Sequence, residues 1–460
     1  MMTRRFLLVL LCLVSSVASA RASKPNIVVF LADDLSWGDC SIYNAKSGIR
    51  TPNMERIAKD GMNFPLAFVA SPSCAPSRAA LLTGLYPARN GSMFNHQRPD
   101  PQHKKWPAWF KEAGYETAAI GKVAHYAQVQ EYGFDHASHF KYHEDDCITA
   151  AVSWLENRQK EKDKQDKPLC LMVGTNWPHV PWPEKTSYKP GEATLPASQV
   201  NTPETHQARA KYAEAVSNAD HDLGVVYDAA RKLLGENTLF IFTADHGAQF
   251  PFGKWNCYDA GIRTPFLVVW PGKVAPGSTS DVLVSWVDIL PTCLEAAGAA
   301  LPPEGTLSGK SLLPALSGNY VRVREHIFTT HSGDGKMNEY PTRSVRTRFW
   351  KYIRNLKPDT EFTSHIDKAQ GGDGRSYWTS WEAAARQDPK AAAIVKRYHV
   401  RPAEELYDLV EDPDELHNLA QDPKAAEPLA ELRAELDQWM EEQGDKGLET
   451  EAARKPKEKP

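Results

Sequence analysis

Four short apolar runs, each closing on ionisable residues, constrain this chain more than any other feature. Asn26-Ile27-Val28-Val29-Phe30-Leu31-Ala32 leads into Asp33-Asp34, and Glu116 to Ile120 leads into Gly121-Lys122-Val123-Ala124-His125. Leu169 to Val173 runs towards Asn176-Trp177-Pro178-His179, and Thr238 to Ala244 into Asp245-His246-Gly247. Nearly continuous β-forming runs of this kind belong to parallel strands buried on both faces. Ligands of open α/β sheets gather at the carboxyl ends of such strands. Helical stretches alternate with them: Trp106 to Ala113, Asp145 to Gln159, and Gln207 to Leu234, where Tyr212, Val216, Ala219, Leu223 and Val226 recur at helical spacing. The alternation predicts a mainly parallel sheet with helices on both faces. Phe266 to Trp270 adds a fifth strand, and Asp288-Ile289-Leu290-Pro291-Thr292 opens a further helix.

Composition sets the outer bounds. A chain of 460 residues, 42% of them apolar, has enough for one large domain and a smaller one. With 54 basic against 58 acidic residues, general nucleic-acid binding is disfavoured. Met1 to Ala20 combines Arg4-Arg5, an apolar run from Phe6 to Val14 and Ala18-Ser19-Ala20, the makeup of a secretory signal peptide and too short for a membrane span. The expectation is export to a periplasm or the exterior, without stable membrane insertion. Apart from Cys12 and Cys74, five cysteines remain at Cys40, Cys147, Cys170, Cys257 and Cys293. Their odd number and their spacing, which suits neither zinc nor a dense disulfide framework, leave at least one free.

The main domain is expected over residues 24–320. After about Tyr320 the texture changes to amphipathic strands, including Phe349 to Arg354, then a Gly-rich patch at Gly371 to Gly374 and a helix from Ala425 to Gln443. This predicts a smaller α+β subdomain with an antiparallel sheet over 321–446. Residues 447–460 form a charged tail, read from Glu451 onwards as disordered.

Ser73-Cys74-Ala75-Pro76-Ser77-Arg78-Ala79-Ala80-Leu81-Leu82-Thr83-Gly84 places a thiol at a helix start. Pro76 suits the first turn, Ser77 can bond its free N–H groups, and Ala79 to Leu82 favour helix. Such a thiol could be a nucleophile of lowered pKa, a half-cystine or a small buried hydrophobe. Cys-x-Pro-Ser-Arg before an Ala-Ala-Leu-Leu-Thr-Gly helix closely resembles the signature of type I sulfatases. That resemblance implies an alkaline-phosphatase-like α/β fold, and oxidation of Cys74 by a formylglycine-generating maturation enzyme to an aldehyde whose hydrate is the nucleophile. It also implies calcium, with magnesium or another divalent ion as alternatives, held by Asp33, Asp34, Asp245, His246 and the modified Cys74. Carboxylates at strand ends suit a hard cation. Many sulfatases carry Asn where this chain has His246, a softer ligand.

Further roles carried by the resemblance fall on Arg78, which would position nucleophile and ligands, and on Lys122, His125, His179 and Lys254. His179, assisted by Lys254, would protonate the leaving atom, and His125 would take a proton from the second hydroxyl. Arg263 competes with Lys254 for its role. In the C-terminal part, His331 and Met337-Asn338-Glu339-Tyr340-Pro341-Thr342-Arg343-Ser344-Val345-Arg346 resemble heparan N-sulfatase (sulfamidase)-like members. On that reading His331, Glu339 and Arg343 line the pocket and read an anionic sugar; alternatively, Arg343 pairs with a carboxylate between subdomains. His246, Lys122 with His125, and Lys254 lie nearer the iduronate-sulfatase pattern. The substrate implied first is N-sulfoglucosamine of heparin or heparan type. The alternatives are an O-sulfate ester such as a 2-O-sulfated uronate, and binding of sulfated glycan by an unmodified paralogue.

Overall fold

The computed structural model describes residues 24–141, 146–319, 322–372 and 374–456. The leader expected at Met1 to Ala20 lies outside the described residues, as does Tyr320 at the expected domain boundary. The main sheet runs, from one edge, His136–Ser138, Glu116–Gly121, Leu169–Gly174, Asn26–Ala32, Thr238–Ala244, Phe266–Val269, Met62–Asn63 and Ser278–Thr279. The first five are parallel neighbours. Central position explains their composition: every residue of Glu116–Gly121, Leu169–Gly174 and Thr238–Ala244 is buried.

The pleat divides the Asn26 strand between two cores. Val28, Phe30 and Ala32 face a layer that includes Tyr212, Val216 and Leu223 of the helix Pro203–Leu234. Ile27, Val29 and Leu31 face the other, with Leu81 and Leu82, Trp106 and Phe110, and Ile289 and Leu290 of the helix Ile289–Ala296. A repeat of two along the strand thus buries both faces under helices.

Phe266–Val269 pairs antiparallel with Thr238–Ala244. A parallel return needs a crossover of a dozen or more residues, usually a helix; the segment from 245 to 265 carries only the one-turn helix Asp259–Ile262 and is otherwise committed to the loop described below. The sheet is therefore mixed.

The C-terminal part holds a four-stranded antiparallel sheet ordered Ile327–His331, Thr342–Arg346, Trp350–Asn355 and Glu404–Asp408. Helix Ala426–Glu442 covers it with Leu432, Leu436, Trp439 and Met440, and the same cluster takes in Ala80 and Val287 of the main domain. Between the last two strands, helices Arg375–Ala385 and Pro389–His399 send Tyr377, Trp378, Trp381 and Tyr398 into the main core beside Phe250 and Trp182. The sequence reading passed over these helices.

The disorder expected from Glu451 is not what the described part of that tail shows: Leu448–Arg454 is a helix, and Glu451 is buried against Arg343, while 457–460 lie outside the described residues. Charge there serves an interior partner. Cys40, Cys74, Cys147, Cys170, Cys257 and Cys293 are all free and buried. Among the described residues, no helix is long and apolar enough to cross a membrane.

Candidate active site

Strand register brings the chemistry together. Ala32 lies opposite Ala244, so Asp33-Asp34 and Asp245-His246 leave the sheet side by side. Gly121 lies opposite Gly174, and Lys122 N–H donates to the Gly174 carbonyl at 2.8 Å. A Cβ at position 174 would stand 2.2 Å from Lys122 O, so glycine is what lets the Lys122 backbone approach.

Helix Cys74–Thr83, buried throughout, starts at these strand ends. Ser77 does not cap it; its Oγ donates to the Asp245 carbonyl at 2.7 Å and so ties helix to strand. Arg78 spans the carboxylates, donating from Nη2 to Asp33 Oδ1 and from Nε to Asp245 Oδ2, each at 2.9 Å. Lys122 Nζ pairs with Asp33 Oδ2. Lys254 Nζ stands 3.0 and 2.8 Å from the two oxygens of Asp34. Asp34 has φ 66° and donates its N–H to Asp245 Oδ1 at 3.0 Å, so a left-handed residue closes the turn.

His246 Nδ1 lies 3.0 Å from Gly247 O, an acceptor only, which puts the proton on Nδ1. Its Nε2 faces Cys74 Sγ at 3.2 Å, Asp34 Oδ1 at 3.5 Å and Asp245 Oδ2 at 3.6 Å. One ligand atom from each of Asp34, Cys74, Asp245 and His246 falls within 4.8 Å of the others. This donor set fits a divalent cation. Asp33 stands a step back, its oxygens taken by Arg78 and Lys122, although it also groups with Asp34 and His179.

The electrostatics follow from burial. Burial would raise the Asp33 carboxyl, but Lys122 and Arg78 hold it well below the usual range. Asp34 is raised by burial, with Lys254 only partly opposing, as expected of a carboxylate flanked by Asp33 and Asp245. Burial opposes the charge of Lys254, but Asp34 keeps its ammonium protonated above the usual lysine range. Burial pushes the Cys74 thiol up, and Lys254 and Lys122 offset this in part. The lowered pKa open to a thiol at a helix start is therefore not found.

Burial, then Lys254 and Lys122, pushes His179 well below the usual histidine range. Its Nδ1 donates to Val180 O, leaving Nε2 3.9 Å from Asp34 Oδ2. As placed, His179 is a neutral imidazole with its proton turned away from Asp34. His125 is buried and likewise lowered, by burial and then Lys122. Its Nε2 lies 2.7 Å from His96 Nδ1. Arg263 is elsewhere, stacked on Trp37 at 3.7 Å and donating to Pro65 O.

The three residues expected to read the sugar do not join this group. Arg343 spends all five N–H groups on protein: Nε and Nη2 on Asp445, Nη2 also on Glu451, and Nη1 on His331 O and Thr342 O. No donor is left for a saccharide; Arg343 pairs with carboxylates, as the alternative reading had it, but within the C-terminal part rather than between subdomains. His331 is buried against Asn338. Glu339 pairs with Lys455 at 3.1 Å on the surface. Sequence reasoning missed Asn95, His96, Asp334, Trp255 and His365. No local motif marks them, because they meet only through loops.

A thiol at a helix start, ringed by buried carboxylates and ammonium groups at the carboxyl end of a mostly parallel sheet, suits a cation and an anionic group together. The chain belongs to the sulfatase family, whose profile matches residues 25–299, and it is a sulfuric ester hydrolase. A second profile, "N-sulphoglucosamine sulphohydrolase, C-terminal", matches residues 246–370. The chain is 32% identical over 441 residues to an ulvan-active sulfatase of Formosa agariphila, covering 93% of this chain and 82% of that one. It is 30% identical over 472 residues to the human N-sulphoglucosamine sulphohydrolase, covering 92% and 91%. A solved structure of a Bacteroides thetaiotaomicron protein, described under the metabolism of multiple glycosaminoglycans, matches with TM-score 0.71 at 21% identity, over 95% of this chain and all of that one. At that identity the likeness is one of fold, and the fold is the alkaline-phosphatase-like α/β sandwich with its antiparallel C-terminal sheet.

Proposed function

We propose that the protein removes sulfate from a sulfated saccharide, using a formylglycine made from Cys74 by a maturation enzyme. A divalent cation, calcium first and magnesium or another ion second, is held by Asp34, Asp245, His246 and position 74, with Asp33 behind them. The observation that carries this reading is the convergence of those four ligand atoms within 4.8 Å at the start of the Cys74 helix. The hydrated aldehyde supplies a nucleophile that a buried thiol cannot, and the cation supplies Lewis acidity. Arg78 keeps Asp33 ionised and holds both Asp33 and Asp245 in place. Lys122 and Lys254 are charged donors for the sulfate oxygens, buried and held in place by Asp33 and Asp34. His179, assisted by the Lys254 ammonium on Asp34, serves the leaving atom at that end of the pocket. His125 accepts a proton from the nucleophile side.

N-sulfoglucosamine is the first substrate, supported by the C-terminal profile match and the human relative. An O-sulfated polysaccharide is the second, supported by the ulvan-active relative. The leader-like Met1 to Ala20 fits an exported enzyme meeting such glycans outside the cytoplasm. The test is sulfate release by matured protein from N-sulfoglucosamine, 6-O-sulfated N-acetylglucosamine and a 2-O-sulfated uronate disaccharide. Release from the first alone is expected. Release from an O-sulfated sugar alone moves the assignment to the second reading, and release unaffected by prior EDTA dialysis removes the cation from the proposal.

A further inference from the structure

His125 does not end the polar chain that leaves the pocket. His96 Nδ1 lies 2.7 Å from its Nε2, and His96 Nε2 lies 3.2 Å from Asp334 Oδ1. Asp334 is 5% exposed and is the centre of a hub: its Oδ2 accepts from Asn95 Nδ2 at 2.8 Å and Trp255 Nε1 at 3.0 Å, and lies 3.3 Å from His365 Nε2. Burial alone would raise this carboxyl, but the His365 and His96 rings beside it and the Asn95 amide hold it well below the usual range. It is an anion, and anions only accept.

The proton positions follow link by link. If His96 is neutral, the ionised Asp334 at 3.2 Å draws its proton to Nε2, which leaves His96 Nδ1 as an acceptor. His125 must then carry its own proton on Nε2. Its Nδ1 is left as a lone pair, buried and without a hydrogen-bond partner among the described residues. A buried unpaired acceptor normally costs stability, and burial and Lys122 keep this imidazole unprotonated, so its lone pair is open to a proton. His96 itself holds φ 69°, an unfavourable conformation for a non-glycine residue, and Gln128 Nε2 anchors its carbonyl at 3.0 Å. The hub also reaches the nucleophile, since Asn95 Oδ1 accepts from Ala75 N–H at 3.0 Å.

We propose that Asp334 and His96 form a positioning relay that locks His125 in the Nε2–H tautomer and so presents Nδ1 as the proton acceptor of the reaction. The proposal rests on His125 being the base. His96 and Asp334 touch no reacting atom; they act through His125, as an orienting carboxylate acts on a catalytic imidazole.

The experiment reads the tautomer without substrate. Long-range proton–nitrogen spectra of the full chain labelled with nitrogen-15 histidine, assigned with His96→Ala and His125→Ala, are expected to show His125 protonated on Nε2 and bare on Nδ1. In His96→Ala the His125 signals should move towards a mixture of tautomers. For the fastest sugar of the panel above, kcat should then fall about tenfold with KM within about twofold. His96→Gln, whose side-chain carbonyl can accept the same bond, should recover most of the rate. The His96 side chain is 59% exposed, so these variants are expected to fold. A proton on His125 Nδ1, or an unchanged kcat in His96→Ala, overturns the relay. Spectra as expected, with His125→Ala turning over at the wild-type rate, would instead refute His125 as the base and with it the relay's part in catalysis.

Discussion

Cys74 stands at the start of a buried helix with Sγ 3.2 Å from His246 Nε2, and burial keeps its proton on despite two nearby lysines. A side chain so placed contributes little as a thiol. It is, however, held where an oxidised, hydrated form would meet the carboxylates and ammonium groups together. Cys74→Ala is therefore expected to lower sulfate release at least about a thousandfold while costing at most about 1 kcal/mol of stability. Kinetics and thermal melting on the same preparation check this. A variant that keeps a tenth of the activity would take the nucleophile away from position 74. Arg78 and Arg343 are a contrasting pair at this scale, both wholly buried guanidinium groups. One bridges Asp33 and Asp245 at the candidate site and the other ties the C-terminal segment to its own subdomain through Asp445 and Glu451, and only their partners tell them apart.

At the scale of elements, the strands carry the chemistry at their ends because their middles are apolar on both faces. Asn26–Ala32 and Thr238–Ala244 were legible to the residue for that reason. The direction of Phe266–Val269 was not, because a short apolar run reads the same in either direction and only the crossover decides. The strand Ile327–His331 shows a polar side chain that the sequence placed in the pocket and the fold placed in the interior. Burial lowers the His331 pKa from 6.5 to about 4. The unfolded chain therefore binds a proton more readily. Stability from the neutral ring is fully present above 6.5 and is lost as pH falls towards 4, by an amount of about 3 kcal/mol if the whole shift is realised. His331→Gln should flatten that acid limb of the denaturant-unfolding curve. An unchanged slope would place the acid sensitivity elsewhere.

For the whole molecule, the C-terminal segment holds the two parts together. Asp445 and Glu451 reach the Arg343 guanidinium, and Arg454 pairs with Asp100 of the main domain at 2.9 Å. Arg343→Ala leaves Asp445 buried without its partner, and a chain ending at Gly444 leaves Arg343 so. Each is expected to cost about 3–5 kcal/mol, measured by denaturant unfolding, with KM unchanged in the folded fraction of Arg343→Ala. A raised KM with unchanged stability would return Arg343 to the saccharide pocket.

The sequence by itself determined the sheet's central strands and most of the residues that converge at their carboxyl ends, because two-sided burial and the Cys74 signature are local patterns. Only the tertiary structure decided which charges belong to the site. Arg343 and Asp445 are 102 positions apart, and Asn95 and Asp334 are 239 apart. A charged side chain looks the same in sequence whether water or a distant carboxylate solvates it. The choice between those two is made when the chain closes and removes the water.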